Sequence, residues 1–253
     1  MIKIFRKIRY ELMEKNKTGK YFKYAIGEIV LVVLGILIAL QINNWNQNSK
    51  EKDVEQKYLV SLKEEFNHNL IELNTVVESN TFNRKNAVEL SSLMGPDTTG
   101  ITEEEFAHLA MNITNWEVQY RPNQAVLDEI ISSGKLAIFR DDKLKYALSS
   151  YYGKLYKVKF QEEEHSGLRR DIIALMNTQG NAKKMLIGEE WETFGIGESK
   201  FKLGNLHLLQ SQELENQLVD FILTSSYLNT HYYSELKQEI DIVLGLIDQE
   251  IVK

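Results

Sequence analysis

The chain has no cysteine and only two prolines in 253 residues. The first absence excludes disulfides, thiolate metal sites and a lipid-modified cysteine, and it suits an oxidising compartment. The second, with Leu, Ile, Glu, Lys and Gln abundant, favours helix along the whole length. Catalytic signatures are missing too. There is no G-x-S-x-G, no H-E-x-x-H, no phosphate-binding loop and no glycine-rich dinucleotide fingerprint. Gly195-x-Gly197 has no strand ahead of it and reads as a loop. The residues therefore point to a non-enzymatic protein that needs no cofactor and no metal.

Positive charge is outnumbered over most of the chain. The formal net charge is −6, and the basic excess sits near the start, in Lys3, Arg6, Lys7, Arg9, Lys15, Lys17, Lys20 and Lys23. The remainder of the chain is acidic, which argues against nucleic acid as a partner.

Against these absences stands one long apolar run, residues 24–42, Tyr24-AIGEIVLVVLGILIALQ-Ile42. As a helix it would be about 28 Å long, close to the ~30 Å hydrocarbon core of a bilayer. No polar side chain interrupts Ile29 to Leu40, whereas a buried helix of a soluble protein would show a polar stripe. Tyr21, Phe22 and Tyr24 precede the run and Trp45 comes after it, as amphipathic rings do at headgroup depth.

The basic residues lie before the run, and the uncharged QINNWNQNS comes after it. The positive-inside rule then places residues 1–23 in the cytoplasm and residues 43–253 on the far side, in the periplasm of an inner (plasma) membrane. Ile4, Phe5, Ile8 and Leu12 recur at helical spacing, so the basic segment reads as an amphipathic helix lying on anionic lipid. The apolar run is long for a signal peptide, and Leu40-Gln41-Ile42-Asn43 offers no small-residue cleavage site. An uncleaved anchor is expected.

The string from Tyr24 to Asn46, after an FRKIR basic start, resembles an uncharacterised family of single-anchor membrane proteins of Bacteroidota, a domain of unknown function. Pro122-NQAVLDEIISSGK-Leu136 is similar to a second recurring element of that family. The resemblance implies location and carries no catalytic residues.

Beyond the run, Leu59, Leu62, Phe66, Leu70, Leu73 and Val77 form one face of a long helix that Gly95-Pro96 ends. Thr102 and Glu105 make a capping-box pattern, Gly134 suits a helix stop, and Asp141 or Asp142 and Ser211 suit helix starts. The spacing predicts three long helices, at 51–94, 142–177 and 212–252, with a short helix at 182–193. The expected fold is all-α, one N-terminal transmembrane helix leading into an extracytoplasmic antiparallel bundle.

Three Glu-x-x-His pairs occur, Glu65/His68, Glu105/His108 and Glu162/His165, a spacing that di-iron bundles use. His68 and His108 fall off their helices' apolar faces, which argues against a core metal site. The third pair differs. The stripe Leu144, Leu148, Tyr151, Leu155, Val158 continues onto Glu162, His165 and Arg169 before Ile172. Either the helix leaves the core there and the triplet meets solvent, or the three form a buried cluster serving a ligand or partner. Tyr151, Tyr152, Tyr156, Tyr227, Tyr232 and Tyr233 fall at helical spacings and are expected in the core or in helix seams.

Inside the run, Glu28 stands four residues beyond Tyr24, within snorkelling reach of headgroups, or in an assembly role. Gly35-x-x-x-Ala39 offers a small-residue packing face. Together these features describe a single-pass protein with a helical interaction or scaffold domain. Its expected partners are lipid and either a second copy or another membrane protein. An extracytoplasmic sensor and a metal- or ligand-binding bundle are the alternatives.

Overall fold

The computed structural model describes residues 6, 10, 18–97, 100–186 and 193–251. Every regular element among them is helical. In chain order these are α1 (Thr18–Ser92), α2 (Glu103–Thr114), α3 (Ala125–Ser132), α4 (Asp142–Gln179), α5 (Gln212–Tyr227), a π-turn (Leu228–Tyr233) and α6 (Ser234–Glu250). Short 3-10 turns cover Lys135–Ile138, Ala182–Met185 and Leu206–Gln210. The expected amphipathic segment at the start lies outside the described residues except for Arg6 and Tyr10. The expected helix at 182–193 begins as the 3-10 turn, and its residues 187–192 also lie outside them.

The chain divides into two compact units, Met1–Lys57 and Tyr58–Lys253. In the first, the apolar run is a stretch of α1. Its large side chains from Ile29 to Leu40 are between 47% and 63% exposed, so among the described residues none packs over them. This helix is long and apolar enough to cross a membrane.

The second unit begins where α1 acquires a one-sided apolar stripe. Leu59, Leu62, Phe66 and Leu73 are fully buried, and α1 ends at Ser92, just ahead of Gly95, whose φ of 151° favours glycine. The described residues from Gly100 to Asp141 then run back along α1. Asn112 bonds Asn86, the Trp116 carbonyl accepts from Asn83, Asn123 bonds Asn69, and Glu129 meets Tyr58. This strap returns the chain to the start of the unit, so α4 sets out in the same direction as α1. Phe66 packs on Tyr151 near one end, and Ala87 and Leu90 share a cluster with Ile172 and Leu175 near the other. The chain from α5 to α6 descends between them, with Lys237 on Asn74 and Lys63 on Asp248. It also packs along α4, where Lys154 pairs with Glu239 at 2.9 Å.

The local starts and stops obey their sequence signals. Thr102 and Glu105 form both bonds of the capping box. Asp141 caps α4 through the Lys143 N–H, and Ser211 caps α5 through the Leu214 N–H. Gly134 takes φ 70° just after α3.

Two apolar clusters result. One joins α1, α4 and α6 around Phe66, Tyr151 and Ile240. The other joins the far end of α1 with α2, α4 and α5 around Phe106, Ile172 and Phe221. The second is closed by the turn before α5, where the Glu103 carboxylate accepts the Asn205 N–H at 2.8 Å and the Leu206 N–H at 3.3 Å. Gly204 makes room for it, because a Cβ there would lie 1.8 Å from Glu103 Oε1. Gly204→Ala should therefore push the carboxylate off its donors and cost about 1–3 kcal/mol, read by chemical denaturation.

Candidate functional site

Between the two apolar clusters lies a layer of polar side chains, and the polar triplet of α4 belongs to it. Glu162 is 3% exposed and His165 is 1% exposed, and the Arg169 side chain is mostly covered. The helix does not leave the core here. Its stripe simply changes from apolar to polar for two turns and then reverts at Ile172.

Each member of the triplet has its own partners. Glu162 Oε1 accepts the Tyr120 backbone N–H at 2.8 Å and the Tyr233 hydroxyl at 2.7 Å, while its Oε2 is buried with no protein donor. His165 Nε2 lies 2.8 Å from Ser225 Oγ, and its ring packs at a tilt against Phe221 with centroids 4.5 Å apart. Arg169 donates to the Thr114 carbonyl oxygen and forms an ion pair of 3.4 Å with Glu117. From α1, Asn80 completes the layer by donating to the Ser225 carbonyl at 2.8 Å and to Asn229 Oδ1 at 2.7 Å. Asn229 in turn donates to Thr81 Oγ1 at 2.9 Å.

The π-turn is what brings Tyr233 to Glu162. The apolar stripe of the C-terminal segment runs 214, 218, 221, 225, 228 in steps of four and three, then jumps five to 233 before resuming at 236, 240, 243 and 247. A helix absorbs such an extra residue as a wide turn. With Leu228–Tyr233 in π geometry, Tyr233 faces the layer and Tyr232 is left partly buried at the groove, against the first apolar cluster. The skipped step shows only in the burial pattern, because Leu228, Tyr232 and Leu236 keep an unbroken step of four along the sequence.

Burial sets the electrostatics. It pushes the Glu162 carboxyl up, against the pull of its two hydrogen bonds and of Lys159 and Arg121. It pushes His165 down to about 4, helped by the Arg169 charge. The hydroxyls of Tyr120 and Tyr233 are driven far above the phenol range, again chiefly by burial. The layer is thus built around a neutral imidazole and a carboxyl that resists ionising.

The other candidates do not converge. Glu65 is buried, but it accepts the Val126 and Leu127 N–H groups at the start of α3, while His68 is exposed on another face. Glu105 serves the α2 capping box and His108 is exposed. Among the described residues no group of three or more His, Asp or Glu gathers as metal ligands would. Glu28 is partly covered on α1, whereas Gly35 and Ala39 are exposed, with nothing over the Gly35 position. The tyrosines expected in the core divide. Tyr151 and Tyr233 are buried, but Tyr156 and Tyr227 stand exposed on a groove of about 680 Å³ between α4 and the α5–α6 segment.

A comparison with protein families gives a match over residues 28–185 to DUF6090, a family of unknown function. The chain belongs to that family. The DUF6090 match takes in Glu28, Gly35, Ala39 and the α4 triplet, and it stops before Ser225 and Tyr233, which complete the polar layer. No curated protein and no solved structure matches the chain.

The layer makes two outcomes measurable. Glu162→Gln keeps an acceptor for Tyr120 and Tyr233 and should fold with near-native stability at neutral pH. Glu162→Ala orphans two buried donors and should lose about 3 kcal/mol in a denaturant titration. For His165, the folded-state pKa lies below the unfolded one, so the unfolded chain binds the extra proton as pH falls. Its contribution to stability is complete above about 6.5 and is lost towards about 4. His165→Gln should flatten the acid side of a stability-versus-pH curve over that window.

Proposed function

We propose that the protein is a single-pass membrane protein whose helical domain serves as an interaction or scaffold module on the far side of the bilayer. The apolar run carries this reading. A dozen consecutive residues without one polar side chain stand uncovered on α1, and in water such a surface is strongly unfavourable at ~25 cal/mol per Å². Lipid is the solvent that suits it, and every backbone bond of a helix is satisfied internally.

The charge pattern supports N-terminus inside, with the helical domain in the periplasm of an inner membrane. The domain itself supports binding rather than chemistry. Most of its buried polar layer is engaged with its own side chains or the strap backbone, and a groove on its surface presents three exposed aromatic rings. Glu28 and the Gly35/Ala39 face support a further role for the span in pairing with a second span.

Lack of native cysteine makes the topology directly readable. Lys50→Cys should react with a membrane-impermeant maleimide in intact spheroplasts, and Lys15→Cys only after permeabilisation. The protein should remain with membranes through alkaline carbonate extraction, and deletion of residues 24–42 should release it. Recovery of the intact chain in the soluble fraction would overturn the reading.

A further inference from the structure

The groove between α4 and the α5–α6 segment is walled on one side by Tyr156, Lys157 and Phe160 and on the other by Tyr227, His231 and Glu235. Tyr156, Phe160 and Tyr227 are 74%, 61% and 55% exposed. Three large rings left to solvent in one groove resemble the aromatic centre of a protein interface more than an ordinary surface. The Tyr227 and His231 rings pack at 5.4 Å, which holds that wall in shape.

Charge identifies the occupant. Lys157 stands on the α4 wall and Glu235 on the other. Lys154, three residues before Lys157 and so about 4.5 Å along the axis, reaches Glu239 at 2.9 Å and the Glu235 carbonyl at 3.5 Å. Because α4 and α6 run in opposite directions, Lys157 and Glu235 stand at nearly the same level on opposing walls. Place a second copy against the groove by a twofold axis parallel to these helices. The α4 wall of one copy then faces the α5–α6 wall of the other at equal height, and each Lys157 meets the second copy's Glu235. The surface is self-complementary in sign, as an isologous contact requires.

We infer that this groove is the contact through which two copies of the chain associate, closing Tyr156, Phe160 and Tyr227 from water and pairing Lys157 with Glu235 across the twofold. The inference rests on the reading of the domain as an interaction module and names its partner. The polar layer fixes the shape of the docking face, since the π-turn that sends Tyr233 inward to Glu162 leaves Tyr232 and His231 on the groove side.

The full-length protein in native membranes is the test. Two differently tagged copies are co-expressed, one carrying Phe160→Cys and the other Tyr227→Cys, and mild oxidation should yield a mixed disulfide dimer. The same oxidation with Phe82→Cys, an exposed position on α1, should not. Lys157→Glu in both copies should lower the cross-linked fraction about tenfold through like-charge opposition. Lys157→Glu with Glu235→Lys in the same chain should restore it. Absence of the mixed dimer, or a yield indifferent to the charge reversal, would overturn the inference. So would cross-linking of the groove positions only to a different protein. Membrane retention of the same samples reports on the anchoring proposal separately, so the two can fail independently.

Discussion

The helical domain depends on side chains that stand in for backbone partners. The strap runs back along α1 through short helices joined by irregular stretches, and a buried backbone N–H left without an acceptor is costly. The long helices supply the acceptors. Glu65 takes two N–H groups at the head of α3, Glu162 takes the Tyr120 N–H, and Asn69 pairs with Asn123 through both its amide oxygen and its nitrogen. Asn205 and Asn181 repeat that amide pairing ahead of α5. Without these acceptors the strap could not stay against the core, and α4 could not start beside α1.

The same economy explains the polar layer. An apolar seam running the whole length of α1, α4 and α5–α6 would permit sliding by a heptad at little cost. Glu162, His165, Asn80 and Asn229 each find a partner at only one register. Burying them costs desolvation, and what is gained is a unique alignment of three long helices, the best-attested use of such groups.

The parts of this architecture that are written locally were readable in the sequence. The uninterrupted apolar run, the Thr102/Glu105 box, the Asp141 and Ser211 caps and the α4 stripe through Glu162 and His165 all depend on residues close to one another along the chain. The path of the strap was not readable, because Glu65 meets Val126 and Glu162 meets Tyr120 across long stretches of chain, and a glutamate that caps a distant segment looks like any other. The fate of the triplet stayed open for the same reason. Whether a polar stretch of stripe meets water or partners depends on Tyr120, Ser225 and Tyr233, none of which its own helix reveals. The tyrosines mislead in the opposite sense, since Tyr156 and Tyr151 share a helix but not a face.

The order in which the chain is made gives one feature a further consequence. The inner face of α1 is sealed by residues of the C-terminal segment, through contacts such as Asn80 with Asn229 and Asn74 with Lys237, 149 and 163 positions apart. At about 5–20 residues per second, α1 waits roughly ten to thirty seconds after synthesis before its covering helix exists. During that interval only the strap and α4 can cover the stripe of Leu59, Leu62, Phe66 and Leu73, and the domain cannot close cooperatively before α6 has been made. Closure of this domain therefore waits on its last helix, and the partly made chain must carry an incompletely covered apolar face until then.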